Sequence, residues 1–136
     1  MCAEKSGWGK GSHRGRARVH KVVCMVDLGP TVVHPDLVVS QMESAIVIGL
    51  SASLKERVNF SEGGPQSLNF DTYSLLTMEE TPEIEVHIVK GQGRMGGVGE
   101  PGLPPIAPAV ANALLWGYGI EVNQLPMTPD YIKTLL

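Results

Sequence analysis

The run Gly96-Gly97-Val98-Gly99-Glu100-Pro101-Gly102-Leu103-Pro104-Pro105 constrains this 136-residue chain more than any other stretch. It sets one carboxylate among four glycines and three prolines. Glycine lets backbone approach other groups closely, and proline fixes φ and removes a donor, so residues 91–105 read as loop. Ile106–Trp116 follows as a helix with prolines near its start. Glu100 therefore sits on a stiff loop shortly before a helix N-terminus. Two readings fit the loop alone. One is an acid held for chemistry. The other is a surface glutamate in an ordinary turn.

The rest of the chain alternates short elements with turns. Met1–Arg18 is a polar, glycine-rich lead without periodicity, and residues 19–136 hold the domain. Val19–Asp27 is rich in valine and ends at Gly29-Pro30, the pattern of a strand. His34-Pro35-Asp36 opens a helix. Val38, Met42, Ala45, Ile46, Gly49 and Leu50 then recur at helical spacing, to about Leu54. This helix has little polar surface after Ser44, which predicts burial on most sides. Arg57–Phe60 and Pro65–Phe70 flank Ser61-Glu62-Gly63-Gly64 as a short hairpin. Asp71–Glu80 reads as irregular. Ile84–Lys90 alternates as a strand, with Ile84, Val86 and Ile88 on one face. Gly117 and Gly119 stop the second helix. Glu121–Leu125 is expected as a last short strand. Thr128-Pro129-Asp130 opens a terminal helix with Thr128 as cap. The class is α+β (mixed α/β), a short mixed sheet with two main helices.

Composition excludes several functions. At 136 residues there is one domain at most. A net charge of −3 gives no argument for nucleic acid or an anionic membrane. The Ala45–Leu54 run is too short and interrupted for a membrane span. Cys2 and Cys24 form no CxxC pair, so neither a zinc site nor an iron–sulfur cluster is supported. Cys24 is expected as a buried thiol. His13, His20, His34 and His87 lack metal-ligand spacing, so no metal ligand is assigned. Gly91-Gln92-Gly93-Arg94-Met95-Gly96 matches GxGxxG, but it does not open directly into a helix as a dinucleotide site must. Ser51 and Ser53 lack an identifiable histidine–carboxylate set, so a hydrolase has little support.

Read together and in order, several segments resemble one family. They are Val22–Gly29, His34-Pro35-Asp36, Gln41–Ala45, Gly49–Ala52, Asn69–Tyr73, Pro82–Val89 and the Glu100 loop. From about Ala3 to Met127 the chain resembles the C-terminal end of the molybdenum-binding (large) subunit of the xanthine dehydrogenase and aldehyde oxidase family. The resemblance is closest to its isoquinoline 1-oxidoreductase beta subunit branch. Leu28, His34 and Ser44 depart from residues common in the family. The family's upstream cofactor-binding parts have no counterpart here. A hairpin of roughly thirty residues, the size of a strand pair with its flanks, is also missing between Gly9 and Val19.

The resemblance implies a C-terminal fragment of a molybdopterin-binding domain and an oxidoreductase. Its complete form hydroxylates an N-heterocycle or aldehyde with oxygen from water at a molybdenum–pterin centre. It implies that Glu100 is the general base, and that Gln41, Gly97, Val98 and Gly99 lie against the cofactor, of the molybdopterin cytosine dinucleotide form. The implied partners are the remainder of the subunit and an iron–sulfur subunit. The chain alone is expected to bind no cofactor and to be inactive. The alternative is a non-catalytic remnant, or an interaction module that pairs with a longer homologue. Insufficient cover for both helices and the Val19–Asp27 strand predicts an exposed apolar patch near Gln41 or that strand's edge. No apolar leader segment is visible, so the compartment stays open between a default cytoplasm and a periplasmic complete enzyme.

Overall fold

A computed structural model describes residues 17–136. Most of the polar lead, with Cys2 and His13, lies outside the described residues. Strand β1 spans Lys21–Asp27 and pairs in parallel with β4, Glu83–Val89. The register runs from Lys21 opposite Glu83 to Asp27 opposite Val89. Between them lies helix α1, Pro35–Leu54, the crossover that a parallel pair requires. Pro35 sits at its first position and Asp36 in its first turn, where a fixed φ and a negative charge suit a helix N-terminus.

The sheet's alternation decides which side meets the helices. Val22, Cys24 and Val26 of β1 share one face with Ile84, Val86 and Ile88 of β4, and all six pack into the core. Cys24 is half-buried there rather than fully buried. Among the described residues its strand is paired with β4 in a two-stranded sheet. The core has two centres. One gathers Ile46, Leu50, Ile106, Val110, Leu114, Ile120, Met127 and Ile132. The other gathers Val26, Leu28, Val38 and Met42.

Helix α1 is 20 residues long and holds an 18-residue window with a mean hydropathy of 1.5, long and apolar enough by length and composition to cross a membrane. The Ala45–Leu54 run considered alone understates this element. Its composition has a core explanation, because Val38, Met42, Ala45, Ile46, Gly49 and Leu50 are buried. Burial on most sides is not found among the described residues. Leu37 is 60% and Ile48 51% exposed, since no described element covers the outer side.

The hairpin is shorter than expected. Strands β2 (Phe60–Ser61) and β3 (Gly64–Pro65) pair antiparallel around Glu62 and Gly63, both at positive φ as a two-residue hairpin turn requires. Pro65 brings no N–H to the ladder. Beyond it, the Asn69 side chain accepts the Phe70 N–H at 2.8 Å and a tight turn takes over.

Helix α2 spans Ile106–Tyr118, so Gly117 lies inside it. Gly119 ends it with φ +70° and an N–H to the Leu115 carbonyl at 2.9 Å. No strand forms over 121–125. Its donors go elsewhere: the Asn123 N–H meets the Tyr131 hydroxyl at 3.1 Å. The next segment is tied down by the Met127 N–H on the Ser53 carbonyl at 2.7 Å. Helix α3, Pro129–Thr134, is capped by the Thr128 hydroxyl, which accepts the Tyr131 N–H at 3.3 Å.

Candidate functional site

Two features from distant parts of the sequence meet at one end of the parallel pair. Helix α1 begins shortly after the carboxyl end of β1, and the Gly91–Pro105 loop leaves the carboxyl end of β4. In α/β architecture that is the end where ligands bind.

Four contacts hold the loop against β1 and α1. Gly96 N–H donates to the Leu28 carbonyl at 3.1 Å. Gly29, at φ +95°, lies so close to the loop that a Cβ there would stand 3.0 Å from the Arg94 carbonyl oxygen. Val98 is half-buried among Val26, Leu28, Val38 and Met42. Gly102 is buried against α1, where a Cβ would stand 3.1 Å from Met42 Cε and 3.2 Å from Ala45 Cβ. Glu100 lies between the last two anchors. Its carbonyl accepts the Leu103 N–H at 3.0 Å, which closes the turn that carries it.

Gln41 stands in α1 beside Met42, one turn before Ala45. Leu37, Gln41, Ser44 and Ile48 recur at helical spacing and are all exposed. This stripe borders the Val38, Met42 and Ala45 stripe that receives the loop. So Gln41 lies on the rim of the helix that carries the Glu100 loop. Glu100, Gly97 and Gly99 are exposed as well. Beta carbons at Gly97 and Gly99 would meet nothing within 4 Å, so the backbone there is open to approach. The described residues do not take Glu100 out of water.

The GxGxxG run is part of this loop. A Cβ at Gly91 would overlap the Asp27 carboxylate, and the next helix starts only at Ile106. Gly91 serves packing against β1, whereas beta carbons at Gly93 and Gly96 would meet nothing within 4 Å. Ser51 and Ser53 are buried structural groups. Ser51 accepts the Leu76 N–H at 3.0 Å, and Ser53 donates to the Gly49 carbonyl at 2.6 Å. No group of three or more His, Cys, Asp or Glu suited to a metal occurs among the described residues.

The ion pairs lie elsewhere. Lys21 at the start of β1 meets Glu83 at 3.0 Å and Glu85 at 2.9 Å. The Glu85 and Glu83 carboxylates raise the Lys21 pKa, and Lys21 in turn lowers that of Glu85. His87 Nε2 lies 2.5 Å from Glu85. At the end of α1, Lys55 pairs with Glu80. Two clefts, of about 470 and about 520 Å³, also lie near that end of α1, lined by Leu54, Leu76 and Met127 and by Lys55, Phe70 and Tyr73. Neither is lined by Gln41 or Glu100.

The sequence reading singled out Glu100 and Gln41 but not the glycines that seat the loop: Gly29, Gly102 and also Gly49, where a Cβ would stand 3.0 Å from the Leu103 carbonyl oxygen. For Gly49 a signal existed. Glycine inside a helix costs about 1 kcal/mol relative to alanine, so it points to a packing demand.

Comparison with known proteins gives a consistent result. The family model described as molybdopterin cofactor-binding domain matches residues 12–82, more than half of the chain. The beta subunit of isoquinoline 1-oxidoreductase from Brevundimonas diminuta is 43% identical over 82% of this chain, which spans 14% of that protein. The membrane-bound, pyrroloquinoline-quinone aldehyde dehydrogenase of Gluconacetobacter polyoxogenes is 34% identical over 89% of this chain and 16% of its own length. Among solved structures, quinoline 2-oxidoreductase from Pseudomonas putida 86 superimposes with a TM-score of 0.73 at 23% identity, over 87% of this chain and 16% of that one.

Proposed function

The chain belongs to the molybdopterin cofactor-binding domain family, and from that premise we propose that it is the C-terminal part of a molybdenum hydroxylase large subunit, inactive alone. The observation that carries the reading is the packing of the Glu100 loop on the Met42 and Ala45 stripe of α1, which borders the exposed stripe that holds Gln41, at the carboxyl ends of the parallel strands. The donor set suits a molybdenum–pterin group in kind. Gln41 offers an amide that both donates and accepts. Gly97, Val98 and Gly99 offer backbone N–H groups, with no side chain obstructing the two glycines. The family model speaks for molybdopterin over the quinone named for one relative. The cytosine dinucleotide form belongs to this proposal too.

The bound group supplies the redox chemistry. Net hydroxylation converts a substrate C–H and water into C–OH, two protons and two electrons. Glu100 accepts one proton at its carboxylate as the water-derived oxygen becomes nucleophilic. The Gly102 and Val98 anchors hold that carboxylate in position. The remainder of the subunit covers Glu100 and excludes water, which raises its basicity. The electrons leave to an iron–sulfur subunit. The substrate is an N-heterocycle or an aldehyde, the classes in the names of the two relatives.

The test supplies the missing upstream part by fusion, with the iron–sulfur partner present, and replaces Glu100 by Gln. Turnover should fall roughly 10²–10⁴-fold with molybdenum content unchanged, the usual contribution of a general base. Turnover surviving within about tenfold would overturn the assignment. Elemental analysis of the chain alone should find no stoichiometric molybdenum. About one metal per chain, with activity, would show a self-sufficient enzyme instead.

A further inference from the structure

We infer that Gly49, on α1 and far from Glu100 in sequence, is a positioning residue that sets where the Glu100 carboxylate stands. This rests on the general-base reading of Glu100. A Cβ at Gly49 would lie 3.0 Å from the Leu103 carbonyl oxygen, 3.0 Å from Ile106 Cβ and 3.1 Å from Ile106 Cγ1. One of these atoms is backbone and another is the branch point of a buried side chain, so no flexible end can swing aside. Contact that close forces the neighbour to move by tenths of an ångström. The neighbour is the turn that carries the acid. Leu103 N–H donates to the Glu100 carbonyl at 3.0 Å, and Ile106 N–H donates to the Leu103 carbonyl at 3.3 Å. Displacement of Leu103 is therefore passed to Glu100 through a hydrogen-bonded turn.

Gly102 makes a second, softer contact on the same helix. Its nearest neighbour would be Met42 Cε, the free end of a flexible side chain, at 3.1 Å, with the fixed Ala45 Cβ and Met42 carbonyl oxygen slightly farther off, at 3.2 and 3.3 Å, than the 3.0 Å contacts of Gly49. The two glycines let loop and helix close to backbone distance on either side of Leu103. A helix glycine is otherwise unfavourable, and Gly49 is buried, so the close approach accounts for its presence.

Two measurements test this. In the full 136-residue chain, amide hydrogen exchange at Leu103 should accelerate about tenfold in Gly49→Ala, a loss of local protection. Gly102→Ala should accelerate it less, and Gly117→Ala, whose Cβ meets nothing within 4 Å, not at all. Unchanged exchange at Leu103 in a folded Gly49→Ala chain overturns the inference whatever Glu100 does. Should Gly49→Ala fail to fold, Gly102→Ala against Gly117→Ala decides the same question.

In the complete subunit, Gly49→Ala should lower kcat about tenfold with KM unchanged, as small misplacement of a catalytic group does. In the Glu100→Gln background it should change kcat less than about twofold, because the group it positions is gone. Equal losses in both backgrounds would mean that Gly49 acts on the fold alone, and would overturn the inference. If Glu100→Gln leaves activity intact, the general-base reading falls and the catalytic role of Gly49 with it. Amide exchange then still reports whether Gly49 fixes the loop.

Discussion

The Leu76 backbone N–H donates to the Ser51 hydroxyl across 3.0 Å, although 25 residues separate them in the chain. Ser51 is buried, and its bond fixes the irregular 71–80 segment against the last turn of α1. The Tyr73 hydroxyl adds a second tie to Glu56 at 2.6 Å, which raises the Tyr73 pKa. Ser51→Ala leaves the Leu76 donor without its partner. The expected cost is about 1–2 kcal/mol, the penalty of an unsatisfied, partly buried donor. Urea unfolding should show a lower midpoint at unchanged slope. A midpoint equal to wild type would mean that water satisfies Leu76.

Acid should loosen the same region in a defined window. Lys55 and the Thr77 N–H and hydroxyl together lower the Glu80 pKa from 4.5 to about 2. A depressed folded pKa means that the unfolded chain binds the proton more readily. The Glu80 contribution is therefore fully present above about pH 4.5 and is lost as pH falls towards 2. Glu80 keeps 24% of its side-chain exposure, so solvent screening reduces the effect to about 1 kcal/mol. Wild type should lose about that much more stability than Glu80→Gln between about pH 6 and pH 2.5. Parallel curves for the two proteins would remove the Lys55–Glu80 pair as the cause.

Local signals in the sequence located most elements, and long-range contacts account for most of what it hid. Pro35 and Asp36 mark the start of α1, and Thr128-Pro129 marks α3, because cap chemistry depends on neighbouring residues only. The parallel register of Lys21 with Glu83 is not legible, since nothing local to either strand encodes its partner. Residues 121–125 look like a strand by composition, but Tyr131 takes the Asn123 donor. Glu100 and Gln41 stand out through the family resemblance. The packing of the Glu100 loop on the helix that carries Gln41 depends on Gly49 and Gly102, whose contacts form only once helix and loop are packed.

The glycines at the end of α2 should respond in opposite directions. Gly117 lies inside the helix with open space around its missing Cβ. Gly117→Ala should stabilise the chain by about 0.5–1 kcal/mol through lower unfolded-state entropy. Gly119 ends the helix at φ +70°, where a Cβ is strained. Gly119→Ala should destabilise by about 1 kcal/mol. Thermal melts of the two variants decide the matter. A shift of the same sign in both would contradict the helix end described here.

The outer stripe of α1 should govern how the isolated chain behaves in solution. Leu37 and Ile48 flank Gln41 on that stripe and are 60% and 51% exposed. On α2, Leu115 and Trp116 are 44% and 80% exposed. Apolar groups repeated along a helix face favour association when nothing covers them. The chain should therefore bind a hydrophobic dye and sediment faster as its concentration rises through tens of micromolar. Ile48→Lys places a charge where the side chain already meets water, so stability should change by no more than about 0.5 kcal/mol. Dye binding and self-association should both fall. A wild-type chain that sediments as a single monomer without dye binding would mean that the stripe is not sticky. Association unchanged by Ile48→Lys would move the contact to another surface, with Trp116 the next residue to replace.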